Sequence, residues 1–259
     1  MMARDVRDPQ TEIAAGNPWY VEDQFATQLG APAFRAVVEN RWRTFTAAID
    51  TWAAQTRRAP TRILDAGCGD GINLTFLARL NAERGWTASL FGADYSVLRV
   101  DRAQALGTAR LVRTSVTALA FEAAAFDIVL CNQVLEHVPD LSAALAELRR
   151  VIAPGGLLLV GVPNEGSPLG WLRNHVLQRS ILHTTDHVNM FTRTRLSQYL
   201  QQAGFVIREV TAEGFFTPHT TLHSLLYGSQ STRRVLEAIT RLFPTLAAGL
   251  LVAAERPVT

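Results

Sequence analysis

An apolar run that breaks into three alternate glycines constrains this chain more than any other feature. Residues 61–72 read Thr-Arg-Ile-Leu-Asp-Ala-Gly-Cys-Gly-Asp-Gly-Ile. The start of this run predicts a buried strand ending at Asp65, and the apolar spacing from Ile72 to Leu80 predicts a helix. Strand, glycine turn and helix bring a ligand against bare backbone at a helix N-terminus, at the carboxyl edge of an α/β sheet. Gly67, Gly69 and Gly71 lack Cβ, so the chain turns sharply there and a ligand comes close.

The rest of the chain repeats the pattern. Thr87 to Ala93 reads as a second strand with Asp94 at its tip, twenty-nine residues past Asp65. An acid there accepts hydrogen bonds from both hydroxyls of a ribose, or it caps the next helix, as Ser96 also would. Arg110 to Arg113 reads as a third strand with Thr114-Ser115-Val116 at its tip, and Phe126 to Cys131 as a fourth. Asp140 or Ser142 starts a helix that Pro154-Gly155-Gly156 stops, and Leu157 to Val162 is a fifth strand. Such alternation predicts a parallel sheet with right-handed crossovers. Pro163 to Met190 breaks it, and holds His175, His183 and His187. An insertion at a strand's carboxyl end lies over the ligand crevice, which makes it the leading substrate segment. Thr192 to Ala203 then reads as a helix with Gly204 as its C-cap, Phe205 to Val210 as a strand, Thr232 to Leu242 as a helix and Leu246 to Ala254 as a last strand. Before the first strand, Phe34, Val37, Val38, Trp42, Phe45 and Ile49 have helical spacing. That helical segment either covers the sheet or forms a lid with Trp19, Tyr20 and Phe25.

Composition removes several classes. The chain has no lysine among its 25 basic residues, so every lysine-dependent mechanism is excluded. Net charge is +2, which points to neither nucleic acid nor an anionic membrane surface. Cys68 and Cys131 read as buried thiols of a reducing compartment. No basic-then-apolar leader opens the sequence and no apolar run approaches a bilayer span, so the expected location is the cytoplasm.

Residues 63–71, Gly92-Ala93-Asp94, Phe126 to Pro139 and Leu148 to Leu159 together resemble the successive motifs of class I S-adenosylmethionine-dependent methyltransferases. The stretch from Thr184 through Met190-Phe191-Thr192 to Phe205 is similar to the C-terminal half of small-molecule members, including the ubiquinone-biosynthesis type. The resemblance implies a Rossmann-like, doubly wound, seven-stranded, mostly parallel sheet with an antiparallel last strand. An N-terminal helical lid or cover over 1–57 would precede a cofactor-binding domain over 58–259, with a substrate-side insertion at 163–191. By resemblance, Asp65 and the turn Gly67-Cys68-Gly69 hold the amino-acid part of S-adenosylmethionine. Asp94 matches the ribose-binding acid, Tyr95 lies against the adenine, and Asn132 contacts the methionine portion. The family often places an acid where Ser115 stands; here the Ser115 hydroxyl and the Val116 amide remain to meet the adenine.

A sulfonium methyl is already electrophilic, so the protein has to align it and exclude water. A hydroxyl acceptor also needs its proton removed. With lysine absent, His187 is the first candidate base and His137 the second. His183 and His187, four apart, weakly suggest a metal-binding face, and no metal is expected. The expected function is methyl transfer to a small, partly hydrophobic acceptor, O-methylation before N- or C-methylation, with no nucleic-acid partner. Trp19, Tyr20, Trp171, Phe191, Phe215 and Phe216 suggest the apolar character. A non-catalytic cofactor-binding protein is the alternative from another class. A nicotinamide oxidoreductase fits least, because position 72 is Ile where G-x-G-x-x-G needs glycine.

Overall fold

The computed structural model describes residues 21–179, 186–217, 219–227 and 229–258. The proposed lid residues Trp19 and Tyr20, and His183, fall outside the described residues. Seven strands form one sheet: β1 (Arg62–Ala66), β2 (Ser89–Asp94), β3 (Arg110–Arg113), β4 (Phe126–Asn132), β5 (Ile152–Pro163), β6 (Val206–Phe215) and β7 (Ala247–Glu255). Their order is β3-β2-β1-β4-β5-β7-β6. The first five run parallel, and β7 is antiparallel to both β5 and β6. Strand order therefore reverses between β1 and β4. The crossovers leave the sheet in opposite directions there, which opens a crevice beyond the carboxyl ends of those two strands.

Alternation along the strands divides the core in two. Leu64, Val129, Cys131, Leu158 and Val160 pack with Leu145 and Leu148 of α4 (Leu141–Val151) and with Leu196 and Leu200 of α6 (Arg193–Gln202). Ile63, Ile128, Leu130, Leu157 and Leu159 pack with α1 (Pro32–Thr56) and α2 (Ile72–Glu83). α1 is one helix of 25 residues, and it covers this face with Trp42, Phe45, Ile49 and Trp52. Trp42 stacks on Phe76 of α2 at 5.0 Å, and the Trp52 indole N–H donates to the Gly155 carbonyl at 2.9 Å. Arg41 of α1 forms a bidentate pair with buried Glu213 of β6. Phe34 departs from the expected apolar stripe: it stands in the first turn of α1 and is half exposed.

Two boundaries differ from expectation. α4 ends at Val151, close to its expected end near Ile152, but β5 begins at Ile152 and not at Leu157, so Pro154-Gly155-Gly156 lie within the strand. A proline is tolerated at the start of a strand. β6 runs on to Phe215, five residues beyond the expected end, because it pairs with β7 along that length. Asp140 and Ser96 cap their helices, α4 and α3 (Val97–Ala105), as expected. The insertion after β5 holds a short helix, α5 (Pro168–Leu172), continued as a wide turn over Arg173–Leu177. α7 (Thr220–Tyr227) and α8 (Gln230–Leu242) precede β7. Among the described residues, no helix is long and apolar enough to cross a membrane.

Candidate active site

The carboxyl ends of β1, β2 and β4 bring together Asp65, Asp94 and Asn132. Asp65 is fully buried. Its Oδ1 lies 3.4 Å from the Asn73 amide and its Oδ2 has no partner among the described residues. Burial pushes its carboxyl up to about 8; the Asn73 hydrogen bond works against that and the Asp94 charge with it. A buried carboxyl with an open oxygen is stabilised as a charge only if a cation arrives.

Asp94 is also buried, and burial raises its carboxyl despite the N–H groups of Ser96 and Gly69, each donating at 2.9 Å. One side chain thus ties the tip of β2 to the middle of the glycine turn. Asn132 Oδ1 is buried without a partner among the described residues. A Cβ at Gly161 would stand 2.2 Å from it, so glycine on β5 leaves that amide its room.

At Gly67 and Gly69 the side on which a Cβ would stand is filled by protein side chains. A Cβ on Gly67 would meet Val134 at 2.3 Å, and one on Gly69 would meet the Gln24 side chain at 2.3 Å. Both glycines have positive φ, 85° and 53°, so the turn needs glycine for its backbone as well. The Cys68 thiol is buried in the core cluster that also holds Ile72 and Leu74, and it lies 3.7 Å from the Gly69 carbonyl of the turn. Ser115 Oγ is within 2.8 Å of the Thr117 hydroxyl and accepts the Thr117 N–H at 3.2 Å. It therefore shapes the tip of β3. Tyr95 and Val116 are partly exposed beside these tips.

A second group forms where the chain leaves β4. Gln133 adopts φ 57°, rare for a residue with a side chain, and a single 3-10 turn follows over Leu135–His137. The Glu136 carbonyl accepts the N–H of Val188 at 2.8 Å and of Asn189 at 3.0 Å. The Asn189 side chain donates to the carbonyls of Leu135 and Val138 at 2.9 and 2.7 Å. Four hydrogen bonds thus staple the strap 187–189 onto the 3-10 turn. They set the His187 ring edge-on to His137, centroids 4.7 Å apart. Glu136, His137 and His187 each bring one oxygen or nitrogen atom to within 4.8 Å of the others. This set joins His137 and His187, seen in the sequence as separate candidates, to Glu136.

Burial dominates the electrostatics. The Glu136 carboxyl is pushed up to about 7, and His137 is pushed down to about 4 by burial and then by the His187 charge. Both Glu136 oxygens and His137 Nδ1 have no partner from another described residue. His187 Nδ1 lies 2.6 Å from Glu165 Oε2, and Glu165 is also paired with Arg173. Neither Glu165 nor Arg173 was singled out in the sequence. Glu165 stands two residues beyond the carboxyl end of β5, the same edge as Asp65, Asp94 and Asn132, and that position was the available signal. Two of the aromatic residues expected around the acceptor differ in their surroundings. Phe191 is fully buried in the core, while Trp171 is mostly exposed and stacked on His175.

Residues 36–210 match the family model described as "Methyltransferase domain". A "Ubiquinone biosynthesis O-methyltransferase" of Psychrobacter cryohalolentis is 28% identical over 205 residues, covering 76% of this chain and 79% of the relative. An S-adenosylmethionine-dependent methyltransferase of Mesorhizobium loti shares the fold with TM-score 0.54 and 19% identity, over 75% of this chain and 90% of that one. Geranyl diphosphate C-methyltransferase of Streptomyces coelicolor, solved with Mg²⁺, geranyl diphosphate and S-adenosyl-L-homocysteine, gives TM-score 0.52 and 18% identity, over 76% and 71%. The family match, covering well over half the chain on a sheet of this order, places the protein among the class I S-adenosylmethionine-dependent methyltransferases.

Proposed function

We propose that the protein methylates a hydroxyl group of a small, partly apolar acceptor. The observation that carries this reading is His187, held by Glu165 and set beside His137 and Glu136 on the segment that leaves β4. Relatives named as O-methyltransferases support the choice of oxygen.

The cofactor assignments rest on the open polar atoms at the strand ends. Asp65 Oδ2, buried and unpartnered among the described residues, suits the ammonium of the methionine portion, and Asn132 Oδ1 offers that portion a second acceptor. Asp94 keeps acceptor capacity for the ribose hydroxyls beyond the two N–H groups it already holds. Tyr95, Ser115 and Val116 border the adenine, and Gly67, Cys68 and Gly69 contribute backbone. When bound, S-adenosylmethionine supplies an electrophilic methyl on a sulfonium sulfur. The protein aligns the acceptor, excludes water and takes the hydroxyl proton on His187 or, second, on His137, whose depressed basicity keeps it neutral.

A crystal soaked with S-adenosylhomocysteine tests this. An open volume between the sulfur and His187 is expected; a sulfur walled off from both histidines would sink it.

The orphaned Glu136 oxygens and His137 Nδ1 favour a second reading, in which Glu136, His137 and His187 share a divalent cation. Held there, a divalent cation would supply Lewis acidity that makes an acceptor hydroxyl easier to deprotonate. Turnover lost on chelation and restored by added Mg²⁺ or Zn²⁺ would select this reading; turnover indifferent to chelator would select the base alone.

A further inference from the structure

Glu165 sits between two partners that come from different elements. Arg173 of the wide turn after α5 pairs with one carboxylate oxygen, and His187 Nδ1 lies 2.6 Å from the other. The three are largely buried: side-chain exposure is 4% for Glu165, 15% for Arg173 and 13% for His187. Arg173 is itself held. Its Nε donates to Asn174 Oδ1 at 2.9 Å and its guanidinium lies 4.8 Å over the Phe216 ring.

These contacts fix where the imidazole proton sits. Arg173 can only donate, so it faces a carboxylate oxygen that accepts. The guanidinium of Arg173 against one oxygen keeps Glu165 a carboxylate, and the other oxygen, 2.6 Å from His187 Nδ1, is left to accept a hydrogen bond. An ionised carboxylate accepts and never donates, so Nδ1 of His187 must carry a hydrogen. In neutral His187 the lone pair is then on Nε2.

We propose that Glu165 is a positioning residue: anchored by Arg173, it holds His187 as the Nδ1–H tautomer and leaves Nε2 as the reactive nitrogen. The inference deepens the site reading above and rests on it for the catalytic consequence only. It serves either form of that reading, since a base and a cation ligand both need a free nitrogen and an oriented ring. It also gives the insertion after β5 a task that its exposed apolar residues do not suggest, namely supplying the carboxylate and its counter-ion.

Glutamine at position 165 makes a sharp test, because it keeps the size and changes the hydrogen-bonding sense. Arg173 would claim the amide oxygen, and the amide NH₂ would face Nδ1. The lone pair must then move to Nδ1 and the proton to Nε2. Long-range ¹H–¹⁵N spectra of full-length ¹⁵N-histidine protein read the tautomer, with the His187 signals assigned by their loss in His187→Gln. The expected result is Nδ1–H in the wild type and Nε2–H in Glu165→Gln, with S-adenosylmethionine affinity by calorimetry unchanged. Wild-type His187 with its proton on Nε2, or a tautomer indifferent to Glu165→Gln in a folded variant, would overturn the proposal. With catechol as hydroxyl acceptor, Glu165→Gln should lower kcat roughly tenfold to a hundredfold, part of what a base supplies, and leave KM for the cofactor unchanged. Wild type inert towards hydroxyl acceptors yet holding the Nδ1–H tautomer would defeat the O-methylation reading alone.

Discussion

Gln24 and Asp70 exchange two hydrogen bonds: the Gln24 N–H donates to Asp70 Oδ2, and the Asp70 N–H donates to Gln24 Oε1, both at 2.9 Å. Arg102 strengthens the latch by donating to Asp70 Oδ2 at 3.3 Å and to the carbonyls of Glu22 and Val21 at 3.1 and 2.9 Å. The segment from Val21 is thereby closed over the glycine turn, with Phe25 against the core of that face. Gln24→Ala should weaken S-adenosylmethionine binding by roughly twofold to tenfold, the worth of about one net hydrogen bond. Faster cofactor release in stopped-flow is the signature; unchanged release would show that the latch does not cover the cofactor.

Gly69→Ala should be more severe. The new methyl would stand 2.3 Å from the Gln24 side chain on a backbone with φ 53°. A loss of about 1–3 kcal/mol in unfolding free energy is expected from the strained backbone and the clash together. Removing the clash with Gln24→Gly in the same chain should restore part of it. A double variant no more stable than the single would show that the backbone alone carries the cost.

Asp65 should make the cofactor-free protein less stable as pH rises. Its carboxyl stands near 8 in the folded protein against an ordinary 3.8, so the folded state holds a proton that the unfolded state has released across that interval. Stability therefore falls as pH climbs from about 4 to 8 and is level above it. Asp65→Asn should flatten that slope, raise the apo melting temperature at pH 8 and cripple cofactor binding. Thermal melts with and without S-adenosylmethionine check this; a variant that is less stable than wild type at pH 8 without cofactor would contradict it.

His187→Ala should cut turnover of a hydroxyl acceptor by roughly a hundredfold to ten-thousandfold with cofactor affinity intact. His137→Ala should cost less if His187 is the base. Calorimetry and initial rates on the same preparations separate the two effects, and full turnover in His187→Ala would remove it from the mechanism.

How far the sequence could be read follows from what each residue answers to. The sheet was legible because strand period, glycine turn and helix spacing are local; that reading put Asp65 and Asp94 at strand tips, while Asn132 came from the family resemblance. The contents of the glycine cradle were not, because Gln24 reaches Gly69 from 45 positions away through a latch no periodicity encodes. Glu165 and Arg173 were missed for a similar reason: their pairing depends on how an irregular insertion folds back, and only the position of Glu165 past β5 hinted at it. His137 and His187 meet because Asn189 staples one segment to another across 51 and 54 positions. Phe191 looked like a ligand-facing aromatic and proved to be core, since an aromatic residue in an irregular stretch carries no sign of which way it faces.

Transfer of label from S-adenosylmethionine carrying a ¹³C methyl, with a panel of phenols and catechols as acceptors, tests the central claim most directly. The account predicts a new ¹³C signal of an aryl methyl ether together with an equal amount of S-adenosylhomocysteine. Label found on carbon or nitrogen, or cofactor bound with no hydroxyl methylated, would contradict it.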